Sequence, residues 1–315
     1  MEKISAIIPN YNHAAFLQQR IESVLQQSYS NFELIILDDA STDSSRKIIE
    51  QYRHHPLVTH IVFNDSNSGS TFSQWQTGIS LASGKYVWLA ESDDYADTQF
   101  LEECMAEFNR TDGLELVYAD SVVVDDKNTI VHENLSFWTD EISSVKWNSS
   151  YTKNGRDEIL EALSRKNTIP NASAVVFKKI FFKEVLDYKY CGDWLFWIKL
   201  LERGKVAFIK QPLNYFRSHG NTTRTNFSSA GRLKRFLRER SLILSYLKKK
   251  QLIEPHLFRQ IRKDIVDQWK NIYTITDLLK KDFFLPFTDI SLAFTFVGYK
   301  FSNAFRRIIN VRPAA

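Results

Sequence analysis

Residues 85–97, KYVWLAESDDYAD, decide the fold, because an apolar strand pattern runs directly into a cluster of acids. The run YVWLA is followed by Glu91, Asp93 and Asp94, three acids within four positions. Carboxylates this close repel one another unless positive charge lies between them. Two explanations are open: the acids fan out into solvent around a helix start, or they hold a cation.

Apolar strands and amphipathic helices alternate through the first 120 residues. In the helix predicted at 16–27, the residues Leu17, Ile21, Val24 and Leu25 share one face. This alternation predicts an α/β fold, in which helices cover both faces of a mostly parallel sheet. The predicted strands are 4–8, 32–37, 60–63, 85–90 and 114–119, and the helices are 16–27, 41–52, 71–82 and 98–109.

The composition is typical of a globular protein in water, and the low cysteine content suits a reducing compartment. The 315 residues are 43% hydrophobic and 25% charged, which is ordinary for a globular protein. Only Cys104 and Cys191 are present, which argues against a disulfide framework. The start has no signal-peptide pattern, and no run of eighteen apolar residues occurs. We therefore expect a cytoplasmic location.

The charge is divided unevenly along the chain. Residues 232–315 contain 18 Lys and Arg against 7 Asp and Glu, a net charge of +11, whereas the first 231 residues contain 23 against 30, a net of −7. The basic part reads as long amphipathic helices. It contains no known DNA-reading motif, so we expect no nucleic acid partner. Three roles stay open: contact with anionic lipid headgroups, packing on the rest of the chain, and a homodimer interface.

Four polar loops follow apolar strands of the predicted sheet. Each loop alone is explained by helix capping. Because the carboxyl ends of parallel strands meet at one edge, the four together predict a polar cleft. Walker and Gly-x-Gly-x-x-Gly patterns are absent from the sequence, which argues against ATP hydrolysis and dinucleotide binding. The loops are PNYNH (9–13), DDASTD (38–43), NSGSTF (67–72) and ESDD (91–94).

The stretch SAIIPNYNHAAFLQQRIESVLQQSYSNFELIILDDASTD resembles the opening of a family 2 glycosyltransferase of the GT-A fold. NSGSTFSQWQTGISLASGKYVWLAESDDYAD resembles the continuation of that family into its Asp-x-Asp metal loop. The likeness is close over 3–120, looser to about 220, and absent from 230–315. It implies a Rossmann-like GT-A domain at 1–228, with a nucleotide-binding half at 1–120 and an acceptor-binding half at 121–228. Residues 229–315 would form a basic, amphipathic helical extension.

The resemblance also implies roles for the first two loops. Pro9 and Tyr11 would border the nucleotide base. Asp39 would accept a hydrogen bond from a ring N–H of the base, with Asp38 beside it. Such a bond suits uracil or thymine and does not by itself exclude guanine; a UDP-sugar is the favoured donor.

In the acidic loop, the resemblance implies that Glu91, Ser92 and Asp93 contact the nucleotide sugar. Asp93 and Asp94, with His219 nearby, would hold a Mg²⁺ or Mn²⁺ that bridges the diphosphate. Oxygen ligands of this kind suit a hard cation that is bound by one or two carboxylates. The family commonly has Asp where this chain has Glu91. Whether the longer side chain contacts the ribose or the metal therefore stays open.

A base for the acceptor hydroxyl is predicted at Asp193 in YCGDWLFW, because related enzymes carry an acid at the start of this helix. The alternative is that Asp193 is only an N-cap. Trp194 would shield the acceptor pocket, although aromatic residues on a helix are more often core. Asn171, in the segment 167–177, would also line the sugar and acceptor pocket.

These observations together predict a metal-dependent, inverting glycosyltransferase. It would move a sugar from a nucleoside-diphosphate sugar to a hydroxyl of a glycan or a lipid-linked glycan, in bacterial surface-polysaccharide synthesis. We expect it in the cytoplasm, with peripheral contact between the basic helices and the inner face of the membrane. Two rival functions are a catalytically silent sugar-nucleotide or glycan-binding module and a membrane-associated scaffold.

Overall fold

The computed structural model describes residues 1–218, 230–274 and 296–300. The chain divides into two compact units, Met1–Thr222 and Thr223–Ala315. The first unit is an α/β domain, and the described part of the second is helical.

A ten-stranded sheet forms the centre of the first unit. Its strands are β1 (Ile4–Asn10), β2 (Phe32–Asp38), β3 (Val58–Phe63), β4 (Tyr86–Leu89), β5 (Tyr95–Ala96), β6 (Leu114–Val124), β7 (Ile130–His132), β8 (Tyr151–Asn154), β9 (Val175–Lys178) and β10 (Lys205–Arg217). The order across the sheet is β3-β2-β1-β4-β9-β6-β10-β5, with β7 beside β6 and β8 beside β10.

Helices cover both faces of this sheet, which confirms the predicted α/β class. They are α1 (Ala14–Leu25), α2 (Ser45–Glu50), α3 (Thr71–Leu81), α4 (Phe100–Arg110), α5 (Ser136–Thr139), α6 (Gly155–Glu158) and α7 (Gly192–Leu201). A π-helical turn at Ile159–Leu163 continues α6, and short 3₁₀ turns lie at Lys146–Asn148, Ala172–Ala174 and Lys183–Asp187.

The core lies on the central strands, because β1, β2 and β4 are buried along their whole length. On one face, α1 and α4 pack against β1 and β4 in a single apolar cluster. On the other face, α3 approaches β1 so closely that a Cβ on Gly78 would lie 2.4 Å from Cγ2 of Ile7. Strands buried on both faces explain why the sequence shows continuous apolar runs instead of alternation.

The parallel arrangement stops at β4. Strands β1, β2, β3 and β4 are all parallel, whereas β9 runs antiparallel between β4 and β6. Strand β10 is one strand of 13 residues, although in the sequence Pro212 separates two apolar runs, 205–209 and 213–217. Its pairing with β6 shifts register on either side of Pro212. Proline lacks the N–H that a ladder needs, so it lies where the regular pairing is broken.

Two long helices make up most of the described part of the second unit: α8 (Ala230–Lys249) and α9 (Pro255–Ile272). Their buried faces carry Leu237, Leu244, Ile265 and Trp269, as expected for amphipathic helices that pack together. None of the helices in the described ranges is long and apolar enough to span a membrane.

Candidate functional site

The ends of β1, β2 and β4 bring three of the polar loops to one edge of the sheet. Asn10 is paired with Asp38, and Ile7 with Leu89, in two parallel ladders that share β1. The loops at 9–13, 38–43 and 91–94 are therefore adjacent, as the sequence predicted. The fourth loop, 67–72, follows β3 and leads into α3.

Asp38 joins the first two loops. Its carboxylate is buried and accepts hydrogen bonds from Asn10 Nδ2 at 2.8 Å and from the backbone N–H of Ser41 at 3.0 Å. Asn12 strengthens the same connection, because its Oδ1 accepts from the N–H of Thr42 at 2.8 Å. Asn12 has a left-handed φ of 56°, a conformation that asparagine tolerates better than most residues.

Pro9 and Tyr11 lie at the end of β1. Pro9 is buried in the strand, whereas Tyr11 is 45% exposed. A large aromatic ring so exposed beside a polar cleft is available for stacking on a base.

Asp39 organises the loop that follows β3. Its Oδ1 accepts from Asn64 Nδ2 at 2.7 Å, from the N–H of Ser68 at 2.9 Å and from Gln74 Nε2 at 2.9 Å. Its Oδ2 accepts from Ser68 Oγ at 2.8 Å. A carboxylate has about four lone-pair sites, so Oδ2 keeps capacity for a further donor such as a base N–H. These partners of Asp39, namely Asn64, Ser68 and Gln74, are not among the site residues predicted from the sequence.

Side-chain contacts fix three residues of the acidic loop: Glu91, Ser92 and Asp94. Trp75 Nε1, on α3, donates to Oε1 of Glu91 at 2.8 Å. Ser92 Oγ lies 2.8 Å from Nδ1 of His13. The backbone N–H of Arg217 donates to Oδ1 of Asp94 at 2.8 Å. The loop is thus held by His13, which directly precedes α1, by Trp75 of α3 and by the end of β10.

Burial and mutual repulsion raise the pKa values of two of these acids. Burial, followed by the charge of Asp93, raises the pKa of Glu91 to about 8. The same two causes raise the pKa of Asp94 to about 6. Glu91 therefore keeps its proton at neutral pH, which removes one of the three negative charges.

Arg20, on α1, supplies positive charge directly beside the acids. It is fully buried, and its Nε donates to the carbonyl oxygen of Glu91 at 2.8 Å. Burial lowers the pKa of Arg20 to about 10, against the opposing effect of the three acids, so the guanidinium stays charged at neutral pH. Its Nη1 and Nη2 make no hydrogen bond with the described residues. Arg20 is not among the site residues predicted from the sequence.

A signal for Arg20 is present in the sequence. The buried residues of α1 are Leu17, Arg20, Ile21 and Val24, which follow the spacing of three and four expected of a core-facing stripe. A charged residue inside that stripe has to be paired or functional, because burying an unpaired charge is costly.

Arg217, at the end of β10, is the second buried arginine here. Its side chain donates to the carbonyl oxygens of Asp93 at 2.8 Å and Asp125 at 2.7 Å, and to Gln19 Oε1 at 2.9 Å and Asn128 Oδ1 at 2.8 Å. These contacts join the acidic loop, α1 and the β6–β7 hairpin. Arg217 therefore holds the walls of the site together.

The residues at this edge fit a divalent cation that a diphosphate helps to bind. Asp93 is partly exposed, and Asp94 is buried with one oxygen held by Arg217. Within residues 1–218, 230–274 and 296–300, no three side chains of His, Cys, Asp or Glu gather as a metal group. Mg²⁺ commonly needs only one or two carboxylates, with phosphate and water as the other ligands. His219 lies outside the described residues.

Asp193 lies in the first turn of α7 and is partly buried. The N-cap of α7 is Cys191, so Asp193 does not cap this helix. Asn167 Nδ2 donates to Oδ2 of Asp193 at 2.8 Å and fixes the orientation of the carboxylate. Gly192 lets the start of α7 lie against α3, since a Cβ there would be 2.5 Å from the ring of Phe72.

The two residues predicted to shape the acceptor pocket, Trp194 and Asn171, are both buried. Trp194 is 8% exposed, and its Nε1 donates to the carbonyl oxygen of Leu163 at 2.8 Å. Asn171 is buried and caps a 3₁₀ turn, because its Oδ1 accepts from the N–H of Ser173 at 2.9 Å. Ser173 in turn contacts the acidic loop, where its Oγ accepts from the N–H of Glu91 at 3.1 Å.

Comparison with known proteins agrees with this geometry. The model of the family described as Glycosyl transferase family 2 matches residues 5–181. An uncharacterized glycosyltransferase of Haemophilus influenzae is 26% identical over 226 residues, which cover 70% of this chain and 67% of that protein. The putative teichuronic acid biosynthesis glycosyltransferase TuaG of Bacillus subtilis is 37% identical over 91 residues, or 29% of this chain and 36% of that protein.

The crystal structure of S. aureus TarS in complex with UDP is similar in fold. It superposes with a TM-score of 0.61 at 18% identity and covers 87% of this chain and 76% of that chain. This likeness shows the GT-A fold that the sequence predicted. Because the family match takes in more than half of the 315 residues, the chain belongs to glycosyl transferase family 2 and is a glycosyltransferase.

Proposed function

We propose that this glycosyltransferase moves a sugar from a nucleoside-diphosphate sugar to a hydroxyl group of a glycan or lipid-linked glycan, with inversion at the anomeric carbon. One observation carries the proposal. A single sheet edge combines the loops of Asp39 and of Asp93 and Asp94, and an acid on a neighbouring helix, Asp193, is held by Asn167.

The donor is proposed to be a UDP-sugar. Asp39 Oδ2 has capacity to accept from the ring N–H of uracil, and the exposed ring of Tyr11 lies in the adjacent loop. The solved TarS structures support this choice, because they include complexes with UDP and with UDP-GlcNAc.

Asp93 and Asp94 would hold a Mg²⁺ or Mn²⁺ ion together with the diphosphate. When bound, such an ion stabilises negative charge on the departing nucleoside diphosphate. The buried charge of Arg20 acts on the same region, because its Nε is bonded to the loop that carries both acids. A preorganised cation of this kind stabilises developing charge without reorganising solvent.

Asp193 would act as the general base. The acceptor hydroxyl oxygen attacks the anomeric carbon, its proton moves to the carboxylate of Asp193, and the bond to the diphosphate oxygen breaks with its electron pair. Attack from the face opposite the leaving group inverts the anomeric centre. Asn167 keeps the base oriented through the bond to Oδ2. Positioned proton transfer of this type contributes about 10²- to 10⁴-fold to a rate.

The proposed setting is bacterial surface-polysaccharide synthesis. Relatives named for teichuronic acid biosynthesis and for chondroitin synthesis support it. We also propose a cytoplasmic enzyme whose basic helices α8 and α9 make peripheral contact with anionic lipid at the inner membrane face. The apolar faces of both helices are buried within their own unit, so this contact would be electrostatic.

The proposal is tested by measuring UDP release from a panel of UDP-sugars with glycan acceptors, for the wild type and Asp193→Asn. The variant should bind UDP as the wild type does and lose at least a hundredfold in kcat, because it keeps the hydrogen-bonding shape but cannot take a proton. Asp112→Asn, an exposed acid at the opposite edge of the sheet, is the matched control. UDP binding without turnover in the wild type, for any acceptor, would instead favour a silent binding module.

A further inference from the structure

Residues 133–150 form the connection between β7 and β8, which is a largely exposed segment. Two tryptophans fasten this β7–β8 connection to the rest of the first unit. Trp147 Nε1 donates to the hydroxyl of Tyr118 on β6 at 2.9 Å, and Trp138 Nε1 donates to the carbonyl oxygen of Asn167 at 2.8 Å. An indole N–H that has an acceptor holds the whole ring in place. One of the two attachment points of the connection is therefore Asn167.

The hydrogen bond from Trp138 ends on the residue that orients the proposed base. Asn167 Nδ2 donates to Oδ2 of Asp193 at 2.8 Å, and Asn167 Oδ1 accepts from the backbone N–H of Ile169 at 3.2 Å. Because an amide oxygen cannot donate, the bond from Ile169 fixes which end of the Asn167 side chain faces Asp193. Trp138 and Asp193 thus bind the same residue, one at its backbone and the other at its side chain.

Lys166 adds to the attachment of the Trp138 ring. Its Nζ lies 4.0 Å from the centroid of the indole and 2.6 Å from Oε1 of Glu141, which belongs to the same connection. A cation over an aromatic face is attracted by the electrons of the ring. Three contacts therefore join the connection to residues 166–167: the indole bond, the cation over the ring and the ion pair.

The helix that carries the base is attached to the chain just before these residues. Trp194 Nε1, on α7, donates to the carbonyl oxygen of Leu163 at 2.8 Å. Leu163 ends the π-helical turn, where carbonyl groups lack a partner within the helix.

The short stretch 163–167 therefore holds the start of α7 twice. Leu163 binds Trp194, and Asn167 binds the carboxylate of Asp193. Because one stretch makes both contacts, a displacement of Asn167 changes the position of the base relative to its own helix.

We propose that Trp138 is a positioning residue for the reaction, which holds Asn167 where Asn167 orients Asp193. The proposal rests on the proposed function, in which Asp193 takes the proton of the acceptor hydroxyl. A reacting group that is misplaced by about 1 Å can cost about a hundredfold in rate. A tryptophan that only stabilised the β7–β8 connection would change the stability of the protein without a specific effect on kcat.

Trp138→Phe keeps an aromatic ring beside Lys166 and removes the indole N–H. UDP release is measured on the full chain with UDP-glucose, UDP-galactose and UDP-N-acetylglucosamine as donors, and with the methyl glycosides of the same sugars as acceptors. We expect kcat to fall about ten- to a hundredfold while UDP affinity stays within about twofold of the wild type. Trp147→Phe is the matched control, because it removes an indole hydrogen bond of the same connection that ends on Tyr118, and it should keep the wild-type kcat.

The double variant Trp138→Phe/Asp193→Asn separates positioning of the base from a general loss of structure. Because Trp138 acts through Asp193, its replacement should cost no further activity once residue 193 cannot take a proton. Losses that multiply in the double variant would contradict the positioning role.

A second variant and a second measurement complete the test. If Trp138→Phe does not fold, Lys166→Met replaces it in the rate assay and should lower kcat about two- to fivefold at unchanged UDP affinity, because the ring loses its cation. The second measurement, nuclear magnetic resonance, needs no substrate. Asp193→Ala removes the acceptor of Asn167 Nδ2, so the indole N–H resonance of Trp138 should shift while that of Trp147 does not.

A wild-type kcat in Trp138→Phe, equal losses in kcat and UDP affinity, or an unshifted Trp138 resonance overturns the proposal. Failure of the proposed function gives a different result. If Asp193→Asn keeps the wild-type kcat, Asp193 is not the base and the proposed mechanism fails. If Asp193→Asn loses at least about a hundredfold in kcat and Trp138→Phe loses nothing, only the role of Trp138 fails.

Discussion

Arg20 lies at a depth in the core where a charged side chain is rarely found, and the reason is the acidic loop beside it. Its guanidinium is fully buried, bonds to the backbone at Glu91 and lies over the ring of Trp88 at 5.4 Å. The repulsion that the sequence shows among three neighbouring acids is thus reduced by a cation from α1 and by the proton on Glu91.

Replacing Arg20 with Met should destabilise the protein by about 2–4 kcal/mol at pH 8, because buried acids lose their nearest counter-charge. The loss should be smaller at pH 5, where Glu91 and Asp94 are protonated. Urea unfolding at both pH values measures this difference. Arg53→Met is the control, since Arg53 is exposed and pairs with Glu50 on the surface. Equal destabilisation at the two pH values would contradict this electrostatic role.

The proton on Glu91 should also make the stability of the fold depend on pH. Its pKa is 4.5 in an ordinary environment and about 8 in the fold. Between these values the folded state holds a proton that the unfolded state releases, so stability is full below pH 4.5 and falls as pH rises toward 8.

Glu91→Gln keeps the acceptor for Trp75 and cannot ionise. The variant should match the wild type near pH 4.5 and exceed its free energy of unfolding by about 1–3 kcal/mol at pH 8. Thermal unfolding across this range checks the prediction, with Glu102→Gln as a control at an exposed position. A variant less stable than the wild type at pH 8 would show that the ionised form of Glu91 supports the fold.

Gly192 shows how one element positions the proposed base. The start of α7 touches Phe72 of α3, and no room exists for a Cβ at Gly192. Gly192→Ala should displace α7 and cost about 1–3 kcal/mol of stability. It should also lower kcat more than it lowers UDP affinity, because Asp193 moves while the nucleotide loops stay. The control is Gly231→Ala on α8, where a Cβ meets nothing within 4 Å. Equal losses in kcat and in UDP affinity would contradict this positioning.

At the scale of elements, much of the fold is predictable from apolar patterns. The strands at β1, β2 and β4 carry continuous apolar runs that only a doubly covered sheet explains, and the polar residues that follow them mark the site. The apolar pattern does not predict that β10 is a single strand, because Pro212 interrupts the pattern as a residue at the end of a strand would. It also did not distinguish an N-cap at Asp193 from a first-turn residue after Cys191.

The parts of the site that sequence did not reveal depend on long-range contacts. Asn64, Ser68 and Gln74 become partners of Asp39 only when the β3 loop folds back beside β2. Local composition does not contain this information.

The whole molecule divides its charge, with a net of −7 before residue 232 and +11 after it. If the basic unit rests on anionic lipid, the full chain should sediment with vesicles containing phosphatidylserine and detach as salt rises. Three exposed lysines lie on these helices: Lys248 and Lys249 at the end of α8, and Lys263 on α9. Replacing all three with Gln should weaken vesicle binding by one to two orders of magnitude.

A matched control changes three exposed lysines of the first unit, Lys47, Lys127 and Lys205, to Gln. The control should bind vesicles as the wild type does. Two results would contradict lipid binding by the basic helices: vesicle binding that does not depend on vesicle charge, and equal weakening by the two triple variants.

The most direct measurement for the whole account is calorimetric titration of UDP into the full chain, with and without Mn²⁺. We expect Mn²⁺ to strengthen UDP binding in the wild type but not in Asp93→Asn/Asp94→Asn, whereas Asp112→Asn should behave as the wild type. Metal-independent binding that the double variant retains would contradict the role of the acidic loop. If UDP, GDP and dTDP all fail to bind under any condition, the sheet edge is not a nucleotide site.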